Sequence, residues 1–213
     1  MGEEGQTQTK MRVDMAKFMG STYIITSRSL FTVLSLFLIL VGVTSLVVWL
    51  VYRPSKPLFT VVSAAVYDMN ATSPYVISTT MQFTVVIQNP NKRVAVYYDR
   101  LSAFVSYRNQ AITVPVPLPP LFQARHGTMT MSPMLGGGFV PVSGEVSSGI
   151  VMDEAYGVVG LRLVVLGRVR WKVGAFRSGH YGMYVACDMF MGLKKDYVGQ
   201  VPLLGFPNCN VDI

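Results

Sequence analysis

The chain has 213 residues, of which 51% are hydrophobic and 14% are charged, and its formal net charge is +7. Because disorder requires low hydrophobicity and high charge, this composition excludes a disordered chain. Two cysteines are too few for a disulfide-rich scaffold or a four-cysteine zinc site. The positive mean hydropathy of +0.41 predicts a membrane segment.

A membrane helix is predicted at residues 30–52, a run of 23 residues without a charge. A helix of that length is roughly 35 Å long, enough to cross a hydrocarbon core of about 30 Å. Trp49 and Tyr52 lie at one end, where amphipathic rings favour the headgroup level. A cleaved signal peptide would have a shorter apolar stretch nearer the start, so we interpret the segment as a retained signal-anchor.

The direction of the helix is predicted from the basic residues beside it, which favour the cytoplasmic side. Those before the helix are Lys10, Arg12, Lys17 and Arg28, and those just after it are Arg53 and Lys56. This imbalance predicts a cytoplasmic tail at residues 1–29, a proline-containing stalk at 53–58 and an extracytoplasmic domain at 59–213.

Two further features agree with an outer location for the C-terminal part. Asn70 begins an Asn-Ala-Thr glycosylation sequon. Cys187 and Cys209 both lie in the outer part, where an oxidising compartment favours one disulfide; two buried free thiols are the alternative. The closed loop of about 22 residues would contribute roughly 3 kcal/mol in the chain-entropy model.

The outer part has the two-residue periodicity of strands. Apolar and polar residues alternate at 81–87, 101–107, 161–173 and 181–187, and more weakly at 59–67 and 125–131. The proline-rich segment 114–120 is predicted to run as polyproline II, 136–138 as a flexible glycine turn, and 149–160 to hold one short helix. About seven strands predict a mainly β fold, an antiparallel β-sandwich.

Catalytic and cofactor motifs are absent from the sequence. The glycines at 136–138 lack the following Lys-Ser/Thr of a phosphate loop, and no G-x-S-x-G elbow occurs. His126 and His180 have no Cys, Asp or Glu at ligand spacing, and the adjacent Asp153 and Glu154 are interpreted as solvated surface groups. We therefore predict no catalytic, cofactor-binding or metal site, and no enzyme.

The strongest candidate for an interaction surface is a basic stripe, defined as Arg162, Arg168, Arg170 and Lys172. Their spacing predicts one strand face, which would attract acidic partners such as acidic polysaccharide or lipid headgroups. A solvated strand face, or protection against edge-to-edge pairing, is the alternative interpretation. An outer location argues against nucleic acid, and the oligomeric state stays open.

Several segments together carry a family resemblance. In chain order they are the membrane helix with Tyr52-Arg53-Pro54, Asn89-Pro90-Asn91, Tyr97-Tyr98-Asp99, the proline run with Phe122-Gln123, the segment Gly-Arg-Val-Arg-Trp-Lys-Val-Gly at 167–174, Tyr184 and Cys209. From about residue 28 onward the chain resembles the plant NDR/HIN-like proteins, also called the late-embryogenesis-abundant hydroxyproline-rich glycoprotein family.

This resemblance implies a single-pass plasma-membrane protein of plant defence and stress response, with plasmodesmata as a narrower location. It implies that the outer LEA type 2 (water-stress and hypersensitive-response) domain is an immunoglobulin- or fibronectin-like sandwich that acts as an interaction module without a catalytic site. A structural tether or transport-related component at contacts between membrane and wall is the alternative function.

Overall fold

The structure, a computed structural model, describes residues 30–51, 53–73, 75–194, 197–205, 207 and 209–213. The chain divides into two compact units, Met1–Arg53 and Pro54–Ile213. The predicted cytoplasmic tail, with its four basic residues, and Tyr52 lie outside the described residues.

The first unit contains the helix α1 (Leu30–Val51), whose 22 residues are long and apolar enough to cross a membrane. The side chains of α1 are exposed along its whole length. The hydroxyl of Thr44 donates to the carbonyl oxygens of Leu40 at 2.9 Å and Val41 at 3.0 Å. This polar group is therefore satisfied within the helix, as a lipid environment requires.

The second unit contains fourteen strands and one further helix in its described residues. The strands are β1 (Leu58–Ser73), β2 (Val76–Gln88), β3 (Ala95–Tyr107), β4 (Gln110–Ala111), β5 (Val116–Leu118), β6 (Leu121–Gln123), β7 (Thr128–Met131), β8 (Met134–Pro141), β9 (Val159–Val173), β10 (Phe176–Arg177), β11 (Tyr181–Met191), β12 (Gly199–Val201), β13 (Leu203–Leu204) and β14 (Cys209–Asp212). The helix is α2 (Gly144–Tyr156).

The strands form two antiparallel sheets over one hydrophobic core. The first sheet has the order β12-β1-β2-β7, with β8 also paired to β2. The second has the order β13-β11-β9-β3-β4, with β5 and β6 on β3, β10 on β9 and β14 on β11. Buried side chains of both sheets belong to one cluster, in which Phe59 meets Tyr98 edge to face at 6.3 Å between ring centroids. The predicted mainly β fold of antiparallel strands is confirmed.

The predicted number of strands, about seven, is too small. Strands β1, β2, β3, β9 and β11 have 11 to 16 residues each, and β2 alternates half-buried and buried positions almost throughout. The additional strands β4, β5, β6, β10, β12 and β13 have only two or three residues. Segments this short cannot display a two-residue period, so the sequence pattern does not reveal them.

Two segments predicted as irregular are paired with strands instead. Within the proline-rich run, residues 116–118 pair antiparallel with β3 as β5, a position at the sheet edge that tolerates proline. The glycines at 136–138 lie inside β8 rather than in a turn. Gly136 and Gly137 have φ of 111° and 84°, and a Cβ on Gly136 would overlap the backbone carbonyl oxygen of Thr79. Glycine is required there because the strand is bulged.

Helix α2 connects the two sheets and is fixed at both ends. Ser143 caps its first turn by accepting a hydrogen bond from the backbone N–H of Val146, and Gly157 ends it with a left-handed φ of 79°. Asp153 accepts a hydrogen bond from the hydroxyl of Tyr107 at 2.7 Å, so it is not simply a solvated group. This contact joins α2 to the end of β3.

We expect Tyr107→Phe to lower the free energy of unfolding at pH 7 by about 1 kcal/mol, because the hydrogen bond to Asp153 is lost. Burial, reinforced by Asp153, raises the pKa of Tyr107 from 10.0 to about 12. Between these two values the unfolded chain releases the phenol proton while the folded chain retains it, so stability falls as the pH rises. Urea unfolding at pH 9, 10 and 11 should therefore show a smaller loss for Tyr107→Phe than for the unsubstituted protein, and parallel losses would contradict this assignment.

Candidate interaction surface

The basic stripe lies on the face of β9 that points away from the core. Leu161, Leu163 and Val165 are buried on the inner face, while the four stripe cations are half-buried or exposed. Strands β3 and β11 flank β9 on its two sides. The surroundings of each cation are therefore set by the registers of these two neighbouring strands.

Arg162, the first stripe cation, is neutralised by a carboxylate on β11. Its Nε and Nη2 donate to the two carboxylate oxygens of Asp188 at 2.5 Å and 3.2 Å, and its Nη1 donates to Asn109 Oδ1 at 3.1 Å. The hydrogen bond and charge of Asp188 raise the pKa of Arg162 further above its usual value. A guanidinium held in this two-point arrangement has little charge left for an acidic partner.

Arg170 is neutralised as well, by Asp99 on β3. Its Nη2 lies 2.6 Å from Asp99 Oδ2, and His180 Nε2 lies 3.9 Å from the same oxygen. The contact is a close ion pair that falls outside hydrogen-bond geometry, because Asp99 Oδ2 and Arg170 Nε have no hydrogen-bond partner in the described part of the chain. Both side chains are mostly shielded from solvent, and opposite charges attract strongly in such surroundings.

Lys172 and a cation outside the stripe, Arg177, surround an aromatic pair. The rings of Tyr97 and Phe122 lie 4.5 Å apart between centroids, on neighbouring strands β3 and β6. Lys172 Nζ lies 6.0 Å and the Arg177 guanidinium carbon 5.4 Å from the centroid of Tyr97. We call Tyr97, Phe122, Lys172 and Arg177 the aromatic platform. Cation–π attraction positions these charges without cancelling them.

The structure thus separates the stripe into two pairs. Arg162 and Arg170 are held by aspartates, whereas Arg168 and Lys172 make no ion pair within the described residues. Sequence reasoning missed Arg177 because it lies on the two-residue strand β10, and the platform because β3 and β6 are joined only in the fold. The pairing of Asp99 with Arg170 and of Asp188 with Arg162 depends on how β3 and β11 are aligned with β9, which the sequence does not show.

The cysteines and the sequon are placed as follows. Cys187 and Cys209 are opposite each other on β11 and β14 and form a disulfide with a Cα–Cα distance of 4.1 Å. Asn70 lies exposed on β1, opposite Ser78 of β2. The disulfide therefore joins the last strand of the chain to the second sheet.

The Asn-Pro-Asn segment forms a buried polar corner, which we define as Asn89, Asn91, Tyr98 and Gln123. The fully buried Asn89 donates to the carbonyl oxygens of Val94 at 2.8 Å and Ala124 at 3.0 Å. Its Oδ1 accepts from the backbone N–H and the side-chain amide of Asn91. Asn89 thus closes the connection between β2 and β3.

Gln123 completes the polar corner from β6. Its Nε2 donates to the carbonyl oxygens of Ile87 and Gly127, each at 2.8 Å, and its Oε1 accepts from the hydroxyl of Tyr98 at 2.9 Å. Burial also raises the pKa of Tyr98 above its usual value. The corner therefore joins both sheets where β2 ends and β3 begins.

The polar corner also holds the stalk. Asn91 accepts a hydrogen bond from the backbone N–H of Ser55 and donates one to its carbonyl oxygen, both at 2.7 Å. Lys56 Nζ donates to the carbonyl oxygen of Val211 at 2.7 Å and pairs with Asp212 at 3.2 Å. Pro57 is buried. Residues 55–57 are therefore part of the folded unit.

The histidines show no constellation for chemistry. His126 lies in the turn before β7, with φ of 52°, and His180 lies beside Asp99 just before β11. Among the described residues, no three His, Cys, Asp or Glu side chains form a group that could hold a metal ion. The arrangement offers charged and aromatic surfaces rather than convergent acid–base groups.

Comparisons with known proteins agree on one relationship. A family model described as "Late embryogenesis abundant protein" matches residues 84–187, a segment from β2 into β11 that includes the polar corner and the basic stripe. "NDR1/HIN1-like protein 12" of Arabidopsis thaliana is 35% identical over 163 residues, which are 76% of this chain and 78% of that protein. "NDR1/HIN1-like protein 1" is 35% identical over 176 residues (82% and 84%), and "NDR1/HIN1-like protein 26" is 33% identical over 142 residues (66% and 67%), both from the same plant.

Proposed function

The chain belongs to the NDR1/HIN1-like family of late embryogenesis abundant proteins, and from that premise we propose that it is a membrane-anchored, non-enzymatic interaction protein. The family indicates a role in plant stress or defence. In the proposed arrangement α1 anchors the chain in the plasma membrane, and the sandwich binds its partners outside the cell.

The observation that carries the proposal is the combination of an exposed apolar helix with a separately cored sandwich. All side chains of α1 are exposed, and 22 such residues in water would be strongly unfavourable. The second unit buries a hydrophobic core made of its own residues. A bilayer around α1 removes the exposed apolar surface and leaves the sandwich free to bind.

The sandwich supports binding rather than catalysis. Its described surface has a charged stripe and an aromatic platform, and the two tyrosines with raised pKa values, Tyr98 and Tyr107, are buried in structural contacts. Partners of matching chemistry are proteins, acidic cell-wall polysaccharide and anionic lipid. A structural tether or transport component at membrane–wall contacts, including plasmodesmata, is the second candidate, favoured by the basic charge of the outer part.

Protease protection tests the anchoring and direction of the chain. In sealed microsomes from cells expressing a doubly tagged full chain, added protease should remove the N-terminal tag and leave the sandwich and C-terminal tag intact. Alkaline carbonate should not extract the protein. Release by carbonate would refute the anchor, and digestion of the C-terminal tag in sealed vesicles would reverse the proposed direction.

Glycosylation of Asn70 provides an independent report on the side of the membrane. The residue is exposed on β1, so a lumenal domain should carry a glycan there. Peptide N-glycosidase should increase the electrophoretic mobility of the unsubstituted chain, and Asn70→Gln should have the faster mobility without treatment. An unchanged mobility in both comparisons would contradict glycosylation at this residue.

A further inference from the structure

The sandwich divides its charge unequally between its two halves. We call one end the stalk end, where β1 begins, β2 ends, β3 begins and β9 ends, and the other the α2 end, where β3 ends and β9 begins. Among the described residues, the half at the stalk end contains nine cations and two acids: Lys56, Lys92, Arg93, Arg100, Arg125, Arg168, Arg170, Lys172 and Arg177, with Asp99 and Asp212. The described cations and acids of the other half are Arg108, Arg162 and Lys194, with Asp68, Glu145, Asp153, Glu154 and Asp188.

Most of the positive charge at the stalk end is unpaired. The two acids there are paired with Arg170 and Lys56. The seven other cations make no ion pair with any described residue. This leaves a concentrated positive field at one end of a domain whose other half, in its described residues, has more acids than cations.

An exposed aromatic residue projects from the same end. Strands β9 and β10 are joined by a tight hairpin in which Gly174 has a left-handed φ of 57°. Phe176 lies in this hairpin opposite Val173 with 83% of its surface exposed, and Lys172 and Arg177 form the next cross-strand pair. A phenylalanine so exposed is unfavourable in water, but aromatic residues beside cations are favoured at the headgroup–acyl boundary of a bilayer.

The chain connection keeps this end within reach of a bilayer surface. Because Asn91 holds Ser55 in the folded unit, only residues 52–54 separate Ser55 from the last residue of α1. Four Cα–Cα steps span at most about 14 Å. A bilayer crossed by α1 therefore has its headgroups close enough to meet the stalk end.

We propose that the stalk end of the sandwich binds anionic lipid headgroups of the bilayer that α1 crosses, with Phe176 inserted at the headgroup–acyl boundary. This inference rests on the proposed membrane anchoring. The unpaired cations, among them Arg168, Lys172 and Arg177, supply the attraction, and the hairpin supplies the apolar contact. The α2 end, where the described acids outnumber the described cations, is the part that we expect to meet other macromolecules.

Lipid fits these observations better than an acidic polysaccharide. A soluble or wall-bound polymer would explain the cations but gives no reason for an apolar side chain at the hairpin tip. The short connection between α1 and Ser55 also gives the headgroups a high effective concentration at the stalk end. An acidic polymer would have to compete with these headgroups for the same cations. Charge, exposed phenylalanine and chain reach all occur at the stalk end.

Hydrogen exchange of the full chain in lipid nanodiscs tests the proposal. One set of discs contains phosphatidylcholine alone, and the other contains phosphatidylcholine with about one third phosphatidylglycerol. We expect the backbone amides of the hairpin at 173–177 to exchange about tenfold more slowly in the anionic discs, and amides of α2 to exchange equally in both. Half-molar NaCl should reduce the difference, because the attraction is electrostatic.

Matched variants separate the lipid contact from a general effect of charge. Phe176→Ser with Arg177→Gln should abolish the slower exchange at the stalk end, and both side chains are exposed, so folding is preserved. The matched variant, Tyr156→Ser with Arg108→Gln, also replaces one aromatic residue and one arginine, but at the α2 end. It should retain the slower exchange of the hairpin in the anionic discs. Equal exchange of the hairpin in both discs, or an equal loss in both variants, would overturn the proposal.

The remaining outcomes distinguish the proposal from its premise. A chain that does not purify with either kind of disc refutes the membrane anchoring and this inference with it. A chain that enters both discs but has an unprotected hairpin refutes the inference alone. Protection by added polygalacturonate, with none from anionic lipid, would assign the stalk end to acidic polysaccharide instead.

Discussion

Asn89→Ala is expected to lower the free energy of unfolding by about 3 kcal/mol, because a buried side chain with four hydrogen bonds is removed. The carbonyl oxygens of Val94 and Ala124 would lose the side-chain donor that reaches them, and both amide groups of Asn91 would lose an acceptor. Each unsatisfied buried group costs about 1–3 kcal/mol, offset where water can enter the space left by the side chain.

The loss should also loosen the stalk. Asn89 orients the side chain of Asn91, which in turn binds the backbone of Ser55. Removing the Asn89 side chain should therefore weaken the contact between Asn91 and Ser55. Pulse proteolysis of the detergent-solubilised full chain across a urea series measures the change in stability. Gln88→Ala, at the neighbouring exposed position, is the matched control and should change stability by less than about 0.5 kcal/mol. Equal effects of the two substitutions would contradict the assigned role of the polar corner.

The second large effect is expected for the double variant Cys187→Ala and Cys209→Ala. The disulfide closes a segment with a sequence separation of 22 residues. In the chain-entropy model, its removal lowers the free energy of unfolding by about 3 kcal/mol. The C-terminal strand β14 should be affected most, because the bond joins it to β11.

Reduction provides the control for this prediction. Dithiothreitol should shift the urea midpoint of the unsubstituted chain toward that of the double variant and leave the double variant unchanged. Non-reducing electrophoresis of protein alkylated at once on lysis should show that the bond is formed in the cell. A chain that reacts fully with the alkylating agent, or a double variant as stable as the parent, would contradict a structural disulfide.

The fold was predictable where a single local signal determines it. An uncharged run of 23 residues specifies α1, and apolar–polar alternation specifies the long strands β2, β9 and β11. The prediction was less accurate where structure depends on pairing partners. Strand β5 contains Pro117 and lies within a proline-rich run that argues against a strand, and it forms only because the edge of β3 is available to it.

The candidate surface was only partly predictable, for a related reason. Alternation places the stripe on one face, but the registers of β3 and β11 decide that Asp99 meets Arg170 and that Asp188 meets Arg162. The polar corner had a sequence signal in Asn89-Pro90-Asn91, which turn chemistry alone explains as a strand end. Its bond to Ser55 joins residues 36 positions apart and has no local signature.

The unequal distribution of charge could not be predicted from the sequence either, because it depends on which strand ends lie together in the fold. Lys56, Arg93 and Arg177 are far apart along the chain and share one end only because antiparallel strands return there. The sequence shows the net positive charge of the outer part, but not where on the folded domain that charge lies. The sheet topology places most of this positive charge at the stalk end. The hairpin with Phe176 adds the apolar group that the proposed lipid contact requires.

Site-specific photocrosslinking in native membranes tests whether the stalk end of the sandwich contacts lipid. A photoreactive benzoylphenylalanine replaces either Phe176 at the stalk end or Tyr156 at the α2 end, two aromatic residues that are 83% and 87% exposed. We predict phospholipid adducts from position 176 and none above background from position 156. Equal lipid labelling from both positions, or adducts at 176 with protein or polysaccharide alone, would contradict this prediction.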